Sequence, residues 1–242
     1  MVITNNNQLM TFGGWSGDSK QCYKLGNSKC QKQSPLTQPR RNAVAITMAD
    51  GIYVLGGSGS PLTSDFLPNG LSEWQAGPAV PKPGIREGHG VAISKTDFLL
   101  VGGSGTYNRI LKYNIEGRTF DWGWTEIGSL LQGREDHRCF FHGGKVVVTG
   151  GYFGGYLKST EIINISDGTS RKAGDLNVAR SHLGMGIAHI NGKSKLIVFG
   201  GETGHMQYTD SIDEWDDESE TWTISSMKLS EDKRKFGYCQ LP

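Results

Sequence analysis

Five arginines recur at similar intervals along the 242-residue chain, at Arg40, Arg86, Arg134, Arg180 and Arg234. Each stands just ahead of an apolar stretch, in "PRRNAVAI", "REGHGVAI", "REDHRCFF", "RSHLGMGI" and "RKFGYCQL". A guanidinium group is a rigid fork of donors that fits a carboxylate, so five of them brought to one place would bind anions. Glu87, Glu135 and Asp136 sit beside these arginines and are candidates to neutralise them. Three histidines, His89, His137 and His182, follow the arginines in consecutive copies. If the fold made them converge, their imidazoles would hold a transition metal.

The elements that must position these residues are also periodic. Double glycines end short aliphatic runs in "LMTFGG", "IYVLGG", "FLLVGG", "VVVTGG" and "LIVFGG", starting at Gly13, Gly56, Gly102, Gly150 and Gly200. The steps are 43, 46, 48 and 50 residues. Four of the runs follow an earlier apolar stretch and a turn, as in "AVAITMADG", which reads as a two-stranded hairpin. After each glycine pair come a polar loop, a third strand ("QCYKLG", "SDFLPNG", "ILKYNIEG", "TEIINISDG", "SIDEWDDE"), a turn and a fourth strand. Trp74, Trp124 and Trp222 fall in or near three of the fourth strands. No helical period is sustained, and four strands per repeat is the propeller pattern.

These residues resemble the kelch repeat, in which a strand ending in double glycine is followed by a Tyr and then a Trp at about 50 residues. The resemblance covers essentially the whole chain and implies an all-β fold, one kelch-type β-propeller of five four-stranded blades. The expected blades are residues 1–39 with 234–242, then 40–85, 86–133, 134–179 and 180–233. The Tyr is literal at Tyr23 and Tyr113; the first and fourth copies lack the Trp, and those two blades are expected to pack less well. "RKFGYCQLP" begins like a first strand, while the chain opens on a truncated one, so the two termini are expected to share one blade and close the ring.

In such a propeller the connection between blades reaches the mouth of the central channel, and the five arginines are expected there. The resemblance adds that arginines at this position in kelch adaptor proteins help to hold an acidic peptide. The competing role is structural, an Arg paired with a carboxylate or capping backbone carbonyls. The family also includes a copper radical oxidase, but here no Tyr adjoins a His, and Cys22 beside Tyr23 has the wrong geometry for a crosslink between strands. GxSxG, HExxH and Walker patterns do not occur. "GSGTYNR" and "GGYFGG" lead into no helix that would cradle phosphate, and both read as loops. The acidic run "DEWDDESE" reads as a solvated hairpin without a role.

A formal charge of +1 gives no general pull toward nucleic acid or anionic membrane, and no apolar window is long enough to span one. The opening "MVITNNNQLM" lacks the layout of a signal peptide. Cys22 and Cys30 flank a turn on neighbouring strands and are expected to form a disulfide; Cys139 and Cys239 are expected to be free. With the "NIS" sequon at Asn164, that pair favours an extracellular setting over a cytoplasmic one. The expected function is a noncatalytic binding module without cofactors, taking a protein, an acidic peptide or an anionic glycan at the channel mouth through Arg40, Arg86, Arg134, Arg180 and Arg234. The alternatives are a metal-dependent enzyme built on His89, His137 and His182, and an interaction scaffold that binds elsewhere.

Overall fold

The computed structural model describes residues 2–14, 19–26, 29–116, 123–190 and 192–232. Five antiparallel four-stranded blades stand in a ring. The first holds β1 (Val2–Ile3), β2 (Leu9–Phe12), β3 (Cys22–Leu25) and β4 (Cys30–Gln33), and the second β5 (Val44–Met48), β6 (Gly51–Leu55), β7 (Ser64–Pro68) and β8 (Gln75–Ala76). The third holds β9 (His89–Ala92), β10 (Asp97–Gly103), β11 (Tyr107–Asn114) and β12 (Trp124–Ser129), and the fourth β13 (Arg138–His142), β14 (Lys145–Thr149), β15 (Thr160–Ile163) and β16 (Ser170–Ala173). The fifth holds β17 (Gly184–Ile190), β18 (Lys193–Phe199), β21 (Ser211–Asp216) and β22 (Thr221–Lys228), with a small hairpin, β19 (Glu202–Gly204) and β20 (Gln207–Tyr208), in its middle loop.

The second strands are apolar on both faces because each is covered by a blade on either side. Val146, Val147 and Val148 are all fully buried, and Leu99, Leu100 and Val101 nearly so. Burying such a side chain contributes roughly 1.5–3 kcal/mol. The tryptophans lie in the seams between blades. Trp74 meets Phe12 of the preceding blade edge to face, with ring centroids 5.3 Å apart. Trp124 donates to the Ala79 carbonyl (2.8 Å), and Trp222 to the Thr160 hydroxyl across the seam (2.9 Å).

The fourth blade, which lacks the Trp, packs as fully as the others. Ile163 fills its seam together with Leu99, Val101 and Ile110 of the third blade. The backbone also closes in there: a side chain at Gly168 would start 1.9 Å from the Ile127 carbonyl oxygen.

One further expectation changes. Cys22 lies opposite Gln33 and Cys30 opposite Leu25, so the two cysteines occupy opposite ends of the β3–β4 hairpin and both are free thiols. Burial pushes the Cys22 thiol up to about 12, which keeps it protonated and inert. The tail assigned to ring closure, residues 234–242, lies outside the described residues, as do Arg234 and Cys239. Within them, β1 lies beside β2, pairing Val2 with Met10 and Ile3 with Leu9.

Candidate binding face at the channel mouth

The inner strands β1, β5, β9, β13 and β17 surround a central channel of about 780 Å³, lined by Ile3, Thr47, Val91, Phe141 and Met185 among others. Three of the arginines do not reach its mouth. Arg40, Arg134 and Arg180 are at most 1% exposed. Each turns into its own blade beneath the glycine pair, where the missing side chains leave room. Arg180 donates to the Gly200 carbonyl (3.2 Å), the Ser211 carbonyl (3.1 Å) and hydroxyl (2.8 Å), and Asp213 (2.6 Å). Arg134 makes the same set with Gly150, Ser159 and Glu161, and Arg40 with Gly56, Thr63 and Asp65.

The carboxylates then reach back to the connection ahead of each Arg. Asp65 accepts from the Thr37 amide (2.7 Å), and Glu161 from those of Leu131 (2.7 Å) and Gln132 (3.0 Å). Burial pulls the Arg134 and Arg180 guanidinium pKa values down, while the facing Glu161 and Asp213 raise them. These pairs bolt the linker between blades to the second and third strands. Sequence reading missed the acids, although "SDF", "TEI" and "SID" carry them at one position of the third strand. Asp213 therefore gives part of the acidic run a structural role, and Glu220 adds exposed pairs to Lys145 and Arg171.

Arg86 is a different residue in kind. The Gly57 amide bonds to the Ile85 carbonyl just as Gly103 and Gly151 bond to Arg134 and Arg180, so Ile85 is the counterpart of the buried arginines. Arg86 falls one position later and is exposed.

The mouth itself is built by Asn42, Glu87, Asp136 and His182, all with positive φ between 52° and 58°. Their backbones join in series. The amide of Glu87 donates to Asn42 (3.1 Å), that of Asp136 to Glu87 (2.7 Å) and that of His182 to Asp136 (2.9 Å). Side chains repeat the links, Asn42 to Glu87 at 2.7 Å and His182 to Asp136 at 3.0 Å. Glu135 stands beside them; burial raises its pKa, the Glu87 charge adds to this, and Asp136 adds less. The Ser104 hydroxyl and Arg86 work the other way.

A carboxyl whose folded pKa is raised leaves the fold most stable at low pH and withdraws that stability as pH rises through the window above about 4.3. Glu135→Gln is expected to be more stable than the native chain at pH 7 and equal to it at pH 3.5. Urea unfolding at both values measures this, and equal midpoints at pH 7 would refute it.

The three histidines occupy three different register positions: the His89 and His137 rings meet with centroids 6.5 Å apart, while His182 pairs with Asp136 instead. His182 is at the mouth, and His137 is buried between the third and fourth blades with neither ring nitrogen partnered among the described residues. His89 lines the channel, its Nδ1 3.2 Å from the Cys139 sulfur. Burial keeps His89 and His137 neutral. Among the described residues no group of three or more His, Cys, Asp or Glu side chains is placed to hold a metal ion. Asn164 is exposed at the β15–β16 turn, where its side-chain oxygen accepts from the Ser166 amide (3.1 Å).

The loops after the glycine pairs carry what sequence reading passed over. Tyr107 (38% exposed) and Phe153 (46%) meet across two blades with ring centroids 5.1 Å apart. Tyr152 is 38% exposed and packs edge to face on Tyr156 at 5.4 Å. The signal was an aromatic pair set between glycines in "GGYFGG".

No protein-family model matches the chain. Kelch-like protein 24 of human, and equally that of rat, is 29% identical over 140 residues, which is 57% of this chain and 22% of that protein. The matched region thus spans about a fifth of the length of these relatives. The solved structure of YjhT superposes with a TM-score of 0.74 at 13% identity, covering 90% of this chain and 81% of that one. With its five double-glycine repeats folded as five four-stranded blades, the chain has the fold of a kelch-type β-propeller.

Proposed function

We propose that this propeller is a noncatalytic protein-binding module whose partner docks on the channel-mouth face. The observation that carries the reading is the hydrogen-bonded series from Asn42 to His182. It fixes the mouth before any partner arrives, and exposed loops from the third, fourth and fifth blades rise around it. A surface ordered in advance loses little entropy on binding. The likeness to part of Kelch-like protein 24 supports the same reading.

An acidic peptide or anionic glycan was expected from the arginines, and three of those now have their own carboxylates inside the blades. Arg86 remains exposed for such a role.

A photo-crosslinking residue placed at Met206, exposed on the mouth face, tests the docking site against one at Lys172 on the outer strand β16. Proteins from the source cell are expected to be trapped from position 206 and not from position 172. Trapping from position 172 alone would overturn the reading in favour of a scaffold that binds at its outer edges.

A further inference from the structure

Resting on that reading, we infer that the mouth face takes a basic protein segment, with a Lys or Arg side chain lying against Tyr107, Tyr152 and Phe153 and its charge facing Glu135. The aromatic ledge has no part in the core. Phe153 and Tyr107 pack beside Gly133, where a Cβ would stand 2.9 Å from the Tyr107 Cβ and 3.5 Å from the Phe153 ring, and both side chains remain exposed. Exposed rings in contact across blade boundaries are the composition of an interface centre rather than of an ordinary surface.

Carboxylates interleave with this ledge. Glu135 and Tyr152 are bridged backbone to backbone in both directions, at 3.0 and 2.8 Å. The Tyr156 hydroxyl donates to Glu202 at 3.2 Å. Asp136 follows Glu135 in the chain and its amide donates to the Glu87 carbonyl (2.7 Å), so three acidic residues stand together; burial first, and then the Glu87 and Asp136 charges, raise the Glu135 pKa. Among the described residues the cations nearest this cluster are Arg86, beside Glu87 in sequence, Arg41, and Arg138 in the channel lining, and the His182 imidazole is already paired with Asp136.

The two features select the same ligand. A ring face carries a negative quadrupole, which attracts a cation and repels an anion. A crowded carboxylate gains most from a positive group, because that contact also relieves its neighbours. An acidic segment would meet repulsion from both, and a purely apolar one would leave Glu135 desolvated without compensation.

Selection from a random displayed peptide library on the intact chain reads the preference directly. Enriched peptides are expected to be rich in Lys and Arg. A synthetic representative should lose tenfold or more in affinity with the Tyr152→Ala, Phe153→Ala double variant, several-fold with Glu135→Gln, and nearly all binding with Glu135→Lys. These side chains are exposed or half-exposed, so melting no lower than that of the native chain separates lost binding from lost fold.

Enrichment of acidic or uncharged peptides would overturn the inference and leave the binding module standing. Basic peptides whose affinity ignores the three variants would also overturn it, as would no enrichment above a control protein. The crosslinks from position 206 judge the module independently of all three results.

Discussion

Arg180→Ala is expected to destabilise the propeller by roughly 3–5 kcal/mol, the range for removing one partner of a buried ion pair. Asp213 would be left charged at 0% exposure with its best donor gone, and the Gly200 and Ser211 carbonyls would lose theirs. The double variant Arg180→Ile, Asp213→Leu is expected to recover most of that loss. The third blade already contains this exchange, with Ile85 in place of the arginine and Leu111 in place of the acid, both in one apolar cluster. Buried ion pairs can be replaced by apolar side chains of similar volume with little loss, whereas half of one cannot stand alone. Urea unfolding of the single and double variants measures the coupling. A double variant as unstable as the single one would show that the guanidinium has a role the apolar pair cannot fill.

Gly56→Ala is expected to remove roughly 3 kcal/mol or more, combining a strained left-handed residue with an overpacked contact. Its φ is +63°, and a Cβ there would stand 2.1 Å from the Ile85 carbonyl oxygen, a backbone atom that cannot swing aside. The same change at Gly150 would start 2.7 Å from the Arg180 oxygen and should be milder. For a chain of this size 3 kcal/mol corresponds to a fall in Tm of about 6–12 °C. Scanning calorimetry of both variants would show the order, and equal melting of Gly56→Ala and the native chain would refute the close-contact account.

The fold was legible because the double glycine is a backbone requirement. A position that must have φ near +60° and no Cβ leaves its mark on the sequence however the surroundings vary, and five such marks define five blades. The site was less legible, for reasons of direction. Spacing placed Arg40, Arg134 and Arg180 at the right points along the chain, but it does not show whether a long side chain turns outward to the mouth or inward beneath the strands. Inward needed an acid on the third strand, and Asp65, Glu161 and Asp213 were the available clue.

Arg86 was counted with the others on identity alone. A shift of one residue in an extended segment changes the face, and the true counterpart is Ile85. The same slip gathered His182 with His89 and His137, of which only the latter two meet. Cys22 and Cys30 were paired by nearness in sequence, whereas the register of a hairpin sets residues three positions apart at opposite ends. Tyr152 and Phe153 looked like loop filling because exposure is decided by what lies above a residue, and that depends on the neighbouring blade.

The backbone series at Asn42, Glu87, Asp136 and His182 separates calibre from chemistry. Peptide groups link one blade to the next along these four residues, at 2.7 to 3.1 Å, whichever side chains they carry. The four residues in the series are already as different as an amide, two acids and an imidazole. Any of them can be exchanged among residues that tolerate a left-handed backbone without widening or narrowing the opening. A lineage carrying this propeller can therefore re-tune what the rim attracts while the bore stays the same.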